Sequence, residues 1–507
     1  MTASRRLSFW GWGYEDRFPD AETRAQLGAQ LHALLGLEGA PPTVREPPTL
    51  ADVRLPDPRV AVPAALAGFC TAAREDRVRH TYGRSYRDLV RGFLGDFSPA
   101  PDLVAYPEDE AQIQALLRWA AEARVAVIPR GGGTSVVGGV EADLDEESAG
   151  AYAGVVCLDL RALDRVLEVD RRSLSARIQA GATGPAIDQQ LAAHDLTLRH
   201  FPQSYEFATL GGYIATRSGG HFATVYTHID EFVQSLRTVT PQGVMESRRL
   251  PGSGAGPSPD RLVIGSEGVF GVITEAWMRV RQRPRWRSSA SVMFTGYDAA
   301  VEAARALAQS GLHPANCRLL DRREAMINGV APGDAHVLIL GFESADHPTD
   351  AWMERALERA LACGGRCPEG PRHRDARASA EKPGSAGAAG AWRQAFFDGP
   401  YLQTALVSLG LIVDTFETAC TWDRFPALHK AVVSNVRAAI QRVTGRKGLL
   451  TCRFTHVYPD GPAPYFTFIA PNQDGPEAAL ERWAELKRVA SDTLLEHGAT
   501  ITHHHAV

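Results

Sequence analysis

From residue 107 onward apolar side chains return at Ile113, Leu116, Leu117 and Ala120, the three-and-four spacing that gives a helix one apolar stripe. Glu108, Asp109 and Glu110 precede them, where carboxylates suit the helix dipole. A helix is predicted there. The apolar run Val125, Ala126, Val127 and Ile128 comes next and ends in PRGGGTSVVGG from Pro129, which reads as a strand feeding a glycine loop. Further strands are predicted at residues 155–158, 165–169 and 174–180, the last two joined by the turn-prone Asp170-Arg171-Arg172-Ser173. A second glycine-rich section, TLGGYIATRSGG at 209–220, precedes the stretch 232–240, a turn at 241–243 and IGSEGVFGVITEAWMRVR at 264–281. The pattern is α+β and not that of a doubly wound sheet.

The flanks differ. Residues 1–95 mix proline-rich turns with a helical stretch at 21–35, which predicts an N-terminal arm. Charges and proline at 282–287 mark a boundary, beyond which helices and strands resume. The stretch 367–390, rich in Ala, Gly, Pro, Arg and Glu, reads as a mobile loop. At 507 residues the chain exceeds what one core holds, about 250–300 residues. The expected division is 1–95, 96–283 and 284–507.

Composition narrows the class. With 44% hydrophobic and 22% charged residues the chain is globular, and no apolar run reaches the ~18 residues of a membrane span. The net charge of −5 includes no basic block, so nucleic acid is not an expected partner. Seven scattered cysteines, an odd number without paired metal spacing, suit reduced thiols in a cytoplasm. The N-terminus has no apolar stretch for export. Apolar helices of the arm are the candidates for a peripheral membrane contact, and a homodimer is compatible with the sequence.

Three glycines after a strand let successive N–H groups converge on a phosphate without a Cβ in the way. A P-loop needs Gly-Lys-Ser/Thr, and no lysine is present; the dinucleotide fingerprint would require glycine or alanine at Val136. Alone, PRGGGTS is open between a tight turn and an anion cradle. Read together with FPQSYEFATLGGYIATRSGG (201–220) and GSEGVFGVITEA (265–276), it resembles the FAD-binding domain of the vanillyl-alcohol-oxidase and p-cresol methylhydroxylase type. More narrowly the chain resembles the alkyldihydroxyacetonephosphate synthases, through WGWGYED (10–16), DTFETACTWDRF (414–425), TCRFTHVYPDGPAPYFTF (451–468) and the triplet His503, His504 and His505. The resemblance covers nearly the whole chain and implies a two-lobed FAD domain, an α/β cap that binds substrate, and an N-terminal helical arm.

It also implies site residues. The pyrophosphate of FAD falls to Pro129, Arg130, Gly131, Gly132, Gly133, Thr134 and Ser135. Further FAD contacts fall to Gln203, Ser204, Tyr205, Glu206, Phe207, Ala208 and Thr209, to Thr216, Arg217, Ser218 and Gly219, and to Glu267, Gly268, Val269, Phe270, Gly271, Val272 and Ile273. No histidine stands in the glycine loop to tether the flavin, so FAD is expected to be noncovalent. The implied reaction exchanges the acyl group of acyl-dihydroxyacetone phosphate for a fatty alcohol, as in ether lipid synthesis, with the flavin acting on the substrate carbon.

Tyr465 falls on the family's proton-transferring tyrosine, a role that needs its pKa tuned from ~10; without the resemblance, Tyr465-Phe466-Thr467-Phe468 reads equally as a strand with an aromatic in the core. The three histidines fall on active-site imidazoles that bind phosphate or move protons. In an extended segment His503 and His505 would share a face and His504 would oppose them. A metal pair would need a third ligand that the sequence does not show, so no metal is expected.

Two departures stand out. Gln403, in PYLQTALVSLG (400–410), stands where the resemblance implies an arginine that holds the substrate phosphate, and an amide cannot make the bidentate contact of a guanidinium. Arg318, Arg393 or Arg453 would then replace it, or the substrate is not a phosphate ester; a flavin-dependent 2-hydroxy acid or alcohol oxidase is the alternative, and a non-catalytic flavin protein a third. The resemblance also implies a segment beyond the histidines, whereas the sequence ends at Val507, and weaker FAD retention is the expectation that follows.

Overall fold

The computed structural model describes residues 5–142, 144, 150–222, 224–252, 254, 256–376, 387–472 and 474–505. The predicted helix forms as Glu110–Ala123, with Asp109 capping it by accepting from the Gln112 N–H. Its buried residues are Ile113, Leu116, Leu117 and Ala120, the stripe expected from the spacing. They pack on a four-stranded sheet in the order Cys70–Thr71, Leu103–Ala105, Gly154–Asp159 and Val125–Arg130. The first pair is antiparallel and the rest parallel. A five-stranded antiparallel sheet stands beside it, in the order Val166–Asp170, Ser175–Gln179, Val272–Arg279, Val233–Thr240 and Gly243–Glu246.

The second half is built on seven antiparallel strands: Arg372–Asp375, Trp286–Phe294, His336–Ser344, Asn316–Leu320, Leu449–Val457, Pro462–Ala470 and Ile412–Glu417. Two of them sort their residues by alternation. Thr451, Arg453 and Thr455, with Tyr465, Thr467 and Ile469, line a cavity. Leu450, Cys452, Phe466 and Phe468 turn the other way and share a core with Leu428, Val432, Val436 and Ile440 of the helix Phe425–Thr444. The chain is α+β.

The N-terminal residues do not stand apart. Phe9, Trp10 and Trp12 are buried in that same core, and the Trp12 N–H donates to Thr404 Oγ1 at 3.0 Å. Of the stretch read as a loop at 367–390, residues 372–375 form an edge strand and 387–390 open the helix Gly387–Ser408; residues 377–386 lie outside the described residues.

Candidate functional site

A cavity of about 530 Å³ runs between the two halves, within the range of small-molecule and cofactor sites, ~300–1,000 Å³. One end is made by the glycine loop. Pro129 through Ser135 all line it, and Gly133 takes φ +63°. The loop lies directly on the segment before helix Leu210–Ala215: a Cβ at Gly132 would sit 2.0 Å from the Phe207 carbonyl oxygen. Arg130 turns beneath the loop, donating to the Arg79 and His80 carbonyls at 3.3 and 3.4 Å. Arg84, also buried, lines the cavity and donates to the Gly83 and Ser8 carbonyls. Burial and Arg130 pull its pKa down to about 9, so it stays charged at neutral pH. Neither guanidinium has a carboxylate partner among the described residues. Two buried guanidiniums without a direct ion pair, beside a cradle of backbone, fit the dianionic linker of FAD.

The remaining cofactor candidates divide. Gln203, Ser204, Ala208, Thr209, Thr216, Ser218, Gly219, Glu267, Gly268, Gly271 and Ile273 line the cavity. The others do not. The Tyr205 hydroxyl donates to Asp188 at 2.7 Å, Glu206 pairs with Arg17, Phe207 packs on Tyr14 and Tyr401, and Arg217 pairs with Asp230. Val272 is buried beneath the four-stranded sheet, while Val269 and Phe270 are 81% and 52% exposed at a turn tip.

The opposite end of the cavity is a row across three strands, in which Arg453 pairs with Tyr465 and Tyr465 with Glu417. The Tyr465 hydroxyl donates to Thr415 Oγ1 at 3.0 Å, and the Arg453 guanidinium lies 3.8 Å from the centre of its ring. Burial pushes the phenol pKa up, and Arg453 opposes that shift. Arg453 itself donates to Glu324 Oε1 at 2.7 Å and keeps its Nε buried without a partner.

The histidines form a turn and not an extended strand. The N–H groups of His503, His504 and His505 all donate to one atom, Glu417 Oε1, at 2.8, 2.9 and 3.1 Å, and the Thr502 hydroxyl joins them at 2.8 Å. That convergence decides which rings share a face. His504 and His505 line the cavity, their rings 6.1 and 5.4 Å from that of Tyr465. His503 turns behind, to the Tyr458 hydroxyl at 3.0 Å. Burial lowers the pKa of His503 and of His505 to about 3, so both are neutral at pH 7. They are hydrogen-bonding groups here and not phosphate-binding cations. Glu417 is held well below the usual carboxylate range by His504, against its burial.

Of the substrate candidates, Gln403 and Arg453 line the cavity, and the Gln403 amide donates to the Val413 carbonyl. Arg318 does not line it. It is fully buried behind Trp392 and Phe396, 5.3 and 5.2 Å from their rings, and bonds to His221 and Thr455. Arg393 is exposed on the outside of its helix. Sequence reasoning missed Lys487, which lines the cavity and bonds to the Thr415 carbonyl and Asp414, as well as Arg84 and Glu417. Glu417 left a signal, a carboxylate that alternation puts on the same face as Thr415 in the strand Ile412–Glu417, opposite to Asp414. Arg84 and Lys487 left none.

Two family models match the chain: "FAD binding domain" over residues 101–247 and "FAD linked oxidases, C-terminal domain" over residues 283–507. The chain is 30% identical over 442 residues to an alkyldihydroxyacetonephosphate synthase of Dictyostelium discoideum, covering 85% of this chain and 71% of that protein. A solved alkyldihydroxyacetonephosphate synthase superposes with a TM-score of 0.82 at 25% identity, covering 98% of this chain and 94% of that one. A solved p-cresol methylhydroxylase shares the fold, with a TM-score of 0.63 at 13% identity over 87% of each chain.

Proposed function

Because the chain belongs to the alkyldihydroxyacetonephosphate synthase family, we propose that it exchanges the acyl group of acyl-dihydroxyacetone phosphate for a fatty alcohol, releasing a fatty acid and forming an ether without net redox change. FAD, held noncovalently by the glycine loop and the cavity-lining residues around it, supplies the covalent chemistry at the substrate carbon when bound. Everything else falls to side chains. Tyr465 takes the proton from that carbon as a phenolate, which burial disfavours and the adjacent Arg453 guanidinium helps to form. His505, neutral, and His504 stand beside the phenol and hydrogen-bond to the groups that exchange. With Gln403 in the family arginine's place, the cation for the substrate phosphate is Arg453, whose buried Nε is without a partner, with Lys487 beside it on the cavity wall.

The observation that carries this reading is the continuity of one cavity from the glycine loop to the Tyr465 phenol. The test is to give the purified flavoprotein palmitoyl-dihydroxyacetone phosphate and hexadecanol in one cuvette and D-lactate, without oxygen, in another. Ether product with the flavin spectrum unbleached is expected; bleaching by lactate without ether would replace the transferase by a hydroxy-acid oxidase. A cytoplasmic setting is supported by seven unpaired cysteines. The lipid substrates support a peripheral membrane contact, which liposome flotation reads; no helix among the described residues is long and apolar enough to cross a membrane. Homodimerisation is read by gel filtration.

A further inference from the structure

Two histidines of the C-terminal turn lack a third ligand in the sequence, and the fold supplies one. His456, in strand Leu449–Val457, comes to lie beside them, so that one ligand nitrogen from each of His456, His503 and His504 lies within 4.8 Å of the others. The Nδ1 atoms of His503 and His504 are 3.1 Å apart. That is close to the edge of a nitrogen tetrahedron around zinc, about 3.4 Å for Zn–N bonds of about 2.0–2.1 Å.

The rings are also oriented from outside. His456 Nε2 lies 2.9 Å from the Gly220 carbonyl, to which it donates. His503 Nε2 lies 3.0 Å from the Tyr458 hydroxyl, which also meets His228 Nε2 at 3.0 Å. Metal-bound imidazoles are fixed through their far nitrogen in this way. His456 Nδ1 is left buried with no partner, an unusual state for a polar atom that carries no ligand.

We propose that His456, His503 and His504 bind one zinc-class divalent cation, with a non-protein fourth ligand. The site stands whichever reaction the cavity runs, because it is read by binding and not by turnover. The FAD-loaded full chain, dialysed against EDTA, is titrated with cobalt(II) chloride. One equivalent should bind with the visible bands of four-coordinate cobalt, and zinc chloride should displace it.

His456→Gln should weaken binding at least about 100-fold, beyond the ~10–100-fold that loss of an outer partner costs. His505→Gln, next to the trio but outside it, should bind cobalt as the unaltered chain does. Flavin content is measured on each variant. Should His456→Gln lose its flavin, Tyr458→Phe, which removes only the outer hydroxyl, should still weaken binding about tenfold. Less than one equivalent bound, unchanged affinity on removing His456 (or Tyr458, where His456→Gln loses flavin), or equal loss on removing His505 would overturn the site.

Discussion

The two ends of the cavity are built by opposite means. At the glycine end the wall is backbone: the loop after Val125–Arg130 lies so close to residues 207–209 that there is no space for a Cβ at Gly131 or Gly132. At the histidine end the wall is side chains drawn from separate strands and the C-terminal turn, and one carboxylate oxygen gathers four donors. A backbone wall tolerates no added atom, whereas a side-chain wall fails when a single atom is taken away. Each end should therefore break by the change that the other survives.

The largest effect is expected from removing one oxygen at the side-chain end. Tyr465→Phe keeps the ring in its strand and loses only the bond to Thr415, so the flavin should stay while ether formation falls about 10²–10⁴-fold, the share general acid–base groups contribute. Flavin loss in this variant would make Tyr465 structural. Adding atoms is the matching test at the other end. Gly132→Val meets the Phe207 carbonyl oxygen at 2.0 Å before it meets any ligand, so the clash is with the protein's own backbone. Overpacking of this kind costs about 1–3 kcal/mol; taken from flavin affinity that is about 5- to 150-fold, read as flavin per chain after gel filtration. An unchanged ratio would show that the loop does not hold the cofactor.

The same contrast explains what could be read from the sequence. The glycine end is local: strand, loop and the Glu110–Ala123 helix follow one another, and their periodicities foretold both the elements and the buried stripe. The residues that the resemblance places at the cofactor but that do not line the cavity turn elsewhere for reasons no local pattern shows: Glu206 and Arg217 pair with Arg17 and Asp230, Val269 and Phe270 sit exposed on a turn, and Val272 enters the core. The histidine end is non-local. Alternation showed that Tyr465 and Phe466 face opposite ways, but not which of them faces the cavity, since that is set by register with strands Leu449–Val457 and Ile412–Glu417. The histidine turn was misread as extended because its shape is imposed by Glu417, 86 residues before His503.

Glu417 gives the next prediction. Glu417→Gln keeps an oxygen for the converging N–H groups but removes the charge beside His504, so turnover should fall about 10- to 100-fold with flavin still bound, by analogy with loss of groups that orient a site. Glu417→Ala should be worse, since each buried N–H left unpaired costs about 1–3 kcal/mol. Equal activity in all three proteins would show that the turn holds itself.

The smallest effect separates the halves by acid. Each contains a histidine that burial keeps neutral: His200 beside Ser218, lowered to about 3, and His429 against Tyr297 and Phe425, lowered to about 4. In the unfolded chain both return to a pKa of ~6.5. Below that pH the unfolded state binds more protons than the folded one, so stability falls as pH drops from 6.5 and stops falling for these groups only near their folded values. At pH 5.5 the loss is on the order of 1 kcal/mol for each, a fall in Tm of a few degrees relative to pH 7. His200→Asn should remove this acid sensitivity from the glycine half and His429→Asn from the cap, each recovering part of the fall and the pair more. A Tm that stays level from pH 7 to pH 5 would mean that neither ring is as dry as its surroundings suggest.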